Sequence, residues 1–377
     1  MRPATRLDGI ELSLIRQINA LATPDSISLG IGEPNIEPDA HFRELARRVA
    51  GEASWHYSAN AGLPELRRAL ASSLGAGVNP DTEVIVTAGT EEGLYAIAQA
   101  WVDAGDEVLV PDPGFVAYST LATIAGARVV TYPLAPDDWT LDAGAIIERI
   151  TPSTKLIVIN SPSNPLGSIA AADELQTIAR VAEERDIIVV SDEVYRELWY
   201  DQQPASMLGM SRNVIVLGGM SKSHAMTGLR LGWIVGAETL IAPILKAHQY
   251  IATCAPVFSQ ALAVEVLRDG EWNARWLTAA RAQFREQRTA ALQSIERELD
   301  VAIAAPAAAF YAFVPVPECS SLTFAKALAT EAGVLVIPGI AFGKNGEGFV
   351  RISYAASIEN ITNGIARIGA HLRRNAR

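Results

Sequence analysis

The chain has 377 residues, of which 49% are hydrophobic and 19% charged, with 28 glycines and 20 prolines dispersed along it. This excludes a disordered segment, a coiled coil and a collagen-like fibre, and the length accommodates a large domain with a smaller companion. The net charge of −11 opposes binding to nucleic acid or to an anionic membrane, and no run of Lys and Arg offsets it.

At the N-terminus, Asp8 and Glu11 interrupt the apolar residues before they reach signal-peptide length, so a cytoplasmic location is expected. Short β-branched runs then alternate with helix-like stretches: Val84 to Thr87, Glu107 to Val110, Val129 to Pro133, Lys155 to Asn160, Asp186 to Ser191, Asn213 to Leu217 and Leu231 to Val235. Most are apolar at successive positions, the pattern of strands covered on both faces. Between them, stretches such as Glu91 to Val102 and Ala171 to Arg185 have the length of right-handed crossover helices. The fold class is α/β, a mostly parallel central sheet with helices on both faces, spanning residues 45–267.

Beyond that, the pattern changes to a long charged helix, Glu271 to Asp300, then strand-like pieces at Phe310 to Val314, Val334 to Ile337 and Phe349 to Ser353, and a closing helix, Ile358 to Arg373. These segments with residues 1–44, which have no strand partner in the core, are expected to form a smaller α+β domain of residues 1–44 and 268–377. The apolar stretch Val301 to Val316 contains Pro306 and Pro315 and is too short to cross a bilayer, so no membrane association is expected. Cys254 and Cys319 are far apart and outside any CxxC pair, which argues against a disulfide framework or a cysteine-rich metal site.

In an open α/β sheet, ligands bind beyond the carboxyl ends of the strands. Thr87-Ala88-Gly89-Thr90 opens a helix there and offers backbone N–H groups to an anion such as phosphate. Phe115 and Tyr118 follow the next strand, where a ring can stack on a flat heterocycle. Asn164-Pro165-Leu166-Gly167 forms a turn with a free Asn side chain. Asp192 ends what should be a deeply buried strand and needs a cationic neighbour or a protonated ring nitrogen. Lys222, among small and apolar residues in Ser221-Lys222-Ser223-His224, should have a depressed pKa and act as a nucleophile toward an aldehyde. His224 reads as a polar loop residue. Each feature alone has a plain structural explanation; together, at one sheet edge, they are the parts pyridoxal phosphate needs.

The sequence resembles the class I/II aminotransferases, fold-type I enzymes that use pyridoxal 5′-phosphate. The resemblance rests on the stretch Ser221 to Trp233, on Asn164-Pro165-Leu166-Gly167 and on Ser191-Asp192-Glu193-Val194-Tyr195. It implies that Lys222 holds the cofactor as an internal aldimine and that Arg230 grips its phosphate, with Gly89, Thr90, Glu91 and Ser221 around it. Asp192 would pair with the pyridine nitrogen, Asn164 and Tyr195 with the phenolic oxygen, and Phe115 would stack on the ring. Tyr57 would reach the phosphate of a neighbouring subunit, making a homodimer with shared sites. Arg351, with Asn164 and the backbone N–H of Gly32, would bind the substrate carboxylate, for which a planar guanidinium is suited. Two departures stand out: Gly219 replaces a phosphate-binding serine, and no residue matches the extra arginine of dicarboxylate-specific members. The implied reaction moves an amino group from an L-amino acid to a 2-oxo acid by a ping-pong mechanism, with Lys222, Asp192 and Tyr195 catalytic and no metal. The alternative is a C–S lyase or another amino-acid-transforming enzyme on the same fold.

Overall fold

The computed structural model describes residues 2–375 apart from 76, 136, 318 and 319; Cys319 lies outside the described residues. Among the described residues twelve strands follow in chain order: β1 Ile27–Ser28, β2 Val84–Thr87, β3 Glu107–Asp112, β4 Arg128–Pro133, β5 Thr154–Asn160, β6 Ile188–Asp192, β7 Val214–Gly219, β8 Gly232–Gly236, β9 Tyr311–Pro315, β10 Val334–Leu335, β11 Ile337–Pro338 and β12 Phe349–Ser353. Seven form the central sheet in the order β2-β8-β7-β6-β5-β3-β4. Strands β2, β3, β6 and β7 are buried at every position, which explains why their central residues are apolar in succession rather than alternating, with polar residues confined to the strand ends.

Only β8 runs against its neighbours, pairing antiparallel with both β2 and β7. This reversal places its first residue, Gly232, opposite Thr87 at the end of β2 and Gly219 at the end of β7. The segment entering β8, including Arg230, therefore arrives at the edge where the parallel strands end.

The N- and C-terminal segments meet as expected. Strand β1 pairs parallel with β10 through Ile27 and Val334, and Ser353 N–H donates to the carbonyl of Leu29 at 2.7 Å. Strands β11, β12 and β9 form a separate antiparallel sheet. The expected run Val334 to Ile337 is thus two short strands belonging to different sheets. The expected seam at residue 45 falls inside the helix Ala40–Glu52, whose Phe42, Leu45 and Val49 pack in one cluster with Val84, Val86 and Leu262. The long helix Gly270–Leu299 joins the two parts: Trp272 and Trp276 sit in that same cluster, whereas Phe284 and Ile295 pack with residues of β9 and β12. Among the described residues, no helix is long and apolar enough to cross a membrane; Val301 to Val316 contains β9.

Candidate active site

A cavity of about 790 Å³ opens at the carboxyl edge of the central sheet. It brings together Thr90, Glu91, Phe115, Asn164, Asp192 and Tyr195 with Ser221, Lys222, Arg230, Gly32 and Arg351. Strand pairing explains much of this convergence, because Asn160 and Asp192 are register partners at the ends of β5 and β6. Gly219 does not line the cavity, while Ser221, two residues on, does. Tyr57 lies outside it with a side chain that is 85% exposed.

Lys222 Nζ donates to the carbonyl of Gly32 at 2.7 Å. Burial, reinforced by the positive charge of Arg351, lowers the amine's pKa to about 8. Asp192 is buried, and burial raises its pKa. The partner expected from sequence was a cation or a ligand nitrogen; within the chain it is the Tyr118 hydroxyl, which donates to Oδ2 at 2.8 Å, while Val194 N–H donates to Oδ1 at 3.2 Å. A neutral phenol adds no balancing charge and the Lys222 amine acts on the carboxylate without forming an ion pair with it, so a positively charged ligand atom at Asp192 would be favoured.

Arg351 is 2% exposed. Nη1 donates to Asn164 Oδ1 at 2.8 Å and Nη2 to the carbonyl of Gly30 at 2.6 Å, while Nε has no partner among the described residues. Its guanidinium lies 4.4 Å from the ring centroid of Tyr311, whose hydroxyl pairs with that of Tyr195 at 2.7 Å. Burial pushes the Tyr195 phenol well above its ordinary range and the arginine below its own. The Asn164 backbone is fixed by Asn160 Oδ1, which accepts from its N–H at 2.8 Å.

At the anion end, Gly89 has φ +90°, and a Cβ there would lie 2.7 Å from Arg230 Nη2. A Cβ on Gly232 would lie 2.7 Å from the Thr90 nitrogen. The two glycines thus let the helix Thr90–Trp101 and Arg230 approach closely enough to frame one anion. Not every N–H of the loop is free, since that of Ala88 donates to Glu92 Oε2 at 3.1 Å.

Sequence reasoning missed Tyr311, Gly30 and Asn160. Tyr311 opens an apolar strand, so nothing in its neighbourhood marks it; Asn160, like Asp192, is a polar residue closing an apolar run and carried that signal. His224 is in a loop but is no solvated residue. It is buried, stacks at 7° on Trp276, pairs with Ser223 and Asn273, and burial lowers its pKa to about 4.

The family model for aminotransferase class I and II matches residues 24–368. The chain belongs to the class I and II aminotransferase family. This aminotransferase is 35% identical over 374 residues to the probable aspartate aminotransferase of Methanocaldococcus jannaschii, covering 97% of this chain and 98% of that protein. Among solved structures, the aspartate aminotransferase of Thermus thermophilus with maleate superposes with a TM-score of 0.92 at 32% identity, over 98% of this chain and all of that one. The aromatic aminotransferase of Pyrococcus horikoshii gives a TM-score of 0.88 at 34% identity, over 96% and 99%. The architecture is that of fold-type I aminotransferases, and the reaction is transfer of an amino group from an L-amino acid to a 2-oxo acid in a ping-pong cycle.

Proposed function

We propose that the cavity binds pyridoxal 5′-phosphate and that Lys222 is its covalent anchor and the catalytic base. The observation that carries this reading is the coincidence in one cavity of an amine with a pKa of about 8, a buried carboxylate in no ion pair among the described residues, and a buried arginine whose Nε has no partner among them. The donor set fits the group. Gly89, Thr90 and Arg230 would hold the phosphate with Ser221 in place of the serine missing at Gly219, Phe115 would lie against the ring, and Asp192 would face its nitrogen. Asn164 and Tyr195 would hold the phenolic oxygen.

Bound there, the cofactor supplies the electron sink that makes the substrate Cα proton acidic. The protein does the rest. Arg351 grips the substrate α-carboxylate, drawing on hydrogen bonds it now makes to Asn164 and Gly30. Lys222 Nζ, uncharged at modest cost because of its low pKa, takes the Cα proton and carries it across the same face. The Asp192 carboxylate holds positive charge opposite it. Phe115 and Ile31 add apolar surface to the cavity lining.

The proposal includes a homodimer in which Tyr57 reaches the partner's phosphate site, and a cytoplasmic setting. It also includes a large part of residues 45–267 and a smaller part of 1–44 and 268–377, with the first seam moved ahead of residue 40 because the helix Ala40–Glu52 packs whole on the large part.

The purified protein with pyridoxal phosphate should turn yellow, and an amino donor alone should bleach that colour with release of a 2-oxo acid. Lys222→Ala should abolish both the bleaching and turnover. Release of ammonia without bleaching would instead mark a lyase, and a protein that binds no cofactor would end the proposal.

A further inference from the structure

Tyr311 opens β9, is buried and lines the cavity. The register of β9 and β12 sets Tyr311 opposite Ser353 and Phe313 opposite Arg351, so Tyr311 and Arg351 are diagonal neighbours on one face of the small sheet. The guanidinium carbon lies 4.4 Å from the ring centroid of Tyr311 and 4.9 Å from that of Phe342. The groups that accept from Arg351, Asn164 Oδ1 and the Gly30 carbonyl, are both neutral. The electron-rich ring of Tyr311 therefore supports a buried charge that no carboxylate balances among the described residues.

At the other end of the same side chain, the Tyr311 hydroxyl meets that of Tyr195 at 2.7 Å, and neither makes another hydrogen bond with a described residue. Two hydroxyls hold two protons and this bond uses one, so which oxygen donates decides which residue keeps a proton to offer elsewhere. Two observations give the donor role to Tyr311. The Arg351 charge over its ring opposes the rise that burial imposes on its phenol, whereas burial drives the Tyr195 phenol well above its ordinary range and the Asp192 carboxylate adds to that rise. The stronger acid of a hydrogen-bonded pair is the better donor. In addition, a Cβ on Gly32 would overlap the Tyr311 oxygen, so backbone crowds that hydroxyl on a second side and leaves Tyr195 as its target.

We infer that Tyr311 is a positioning residue with two separable roles: its hydroxyl donates to Tyr195 and so leaves the Tyr195 proton for the cavity, and its ring face seats the Arg351 guanidinium. This rests on the proposed function, in which Tyr195 meets the cofactor's phenolic oxygen and Arg351 the substrate carboxylate. With the opposite donor order, the Tyr195 proton would be spent on β9 and unavailable to a ligand. One side chain from the small sheet thus orients a group on the cofactor side and a group on the substrate side.

The test reads two quantities on the cofactor-loaded protein: the pH midpoint at which the bound cofactor changes colour, and calorimetric affinity for 4-methylpentanoate, which is leucine without its amino group. Tyr311→Phe keeps the ring and loses the hydroxyl. It should raise the colour midpoint by about half a unit to one unit, because a phenolic oxygen less well supported by Tyr195 holds the neighbouring proton more tightly. Its affinity for the carboxylate should change by less than about twofold, whereas Tyr311→Leu should show the same midpoint shift and lose roughly fivefold to thirtyfold in affinity. In a Tyr195→Phe protein, Tyr311→Phe should add no further midpoint shift. An unshifted midpoint in Tyr311→Phe, or a shift as large without the Tyr195 hydroxyl, would overturn the hydroxyl's role. Equal affinity losses in the Phe and Leu variants, or none in the Leu variant, would overturn the ring's role. Either result leaves the proposed function standing. A wild type that never colours would end the proposed function itself, and the carboxylate measurement would still decide the role of the ring.

Discussion

The charge state of Lys222 is set by its surroundings, and each contribution has a sign that can be checked. Burial and Arg351 favour the neutral amine; Glu33 and Asp192 favour the charged one. Competitive acylation of the cofactor-free protein, read by mass spectrometry, should give a midpoint near pH 8 for Lys222. Arg351→Met should move that midpoint up, and Asp192→Asn should move it down; shifts in the opposite directions would refute the electrostatic reading. The same depression bears on stability. Between pH 8 and the ordinary lysine value of 10.5, the unfolded chain holds the proton that the folded chain has lost, so stability contributed by this site rises with pH across that window. Below it, Lys222→Met should be the more stable cofactor-free protein, by on the order of 3 kcal/mol, and the difference should shrink as pH rises to 10.5. Denaturant melts at both ends of the window measure this.

At the level of single elements, β8 carries the greatest constraint. Its antiparallel direction delivers Arg230 to the site, and its first residue must be glycine because a Cβ would meet the backbone of Thr90 and Gly89, which cannot yield as a flexible side chain could. Gly232→Ala should cost about 1–3 kcal/mol of stability and, by pushing the helix Thr90–Trp101 away from Arg230, weaken binding of inorganic phosphate measured by calorimetry. Normal stability and normal phosphate affinity would show that the close approach is dispensable. The sequence exposed β8 as an apolar run but not its direction, since strand sense depends on pairing with distant segments. Strand β1 was illegible for a related reason: two residues, Ile27 and Ser28, are held only by β10, more than three hundred positions away. The long parallel strands were readable because burial on both faces writes itself into every residue. Lys222 stood out among small and apolar residues, Asn164 by its Asn-Pro turn and Arg351 by the resemblance of its strand to one in the family, whereas Tyr311 acquires its place only through tertiary contact.

For the molecule as a whole, the exposed surface indicates how the proposed dimer would be built. Trp55, Tyr57 and Tyr250 are each about 85% exposed or more. Asn60 holds their segments together, its Nδ2 donating to the carbonyl of Thr253 at 2.7 Å and its own carbonyl accepting from His248 at 3.0 Å. An aromatic patch of this kind is costly on a free surface and typical of one covered by a partner. If Tyr57 completes the neighbour's site, Lys222 and Tyr57 of a given site belong to different chains. Lys222→Ala and Tyr57→Ala proteins, each with little activity, should then complement when unfolded together and refolded. A mixed dimer has one site with both lesions and one with neither. Random pairing makes about half the dimers mixed, so about a quarter of all sites should regain wild-type turnover. If instead Tyr57 acted within its own chain, every mixed dimer would carry one lesion per site, and refolding the mixture would yield only the average of the two variants.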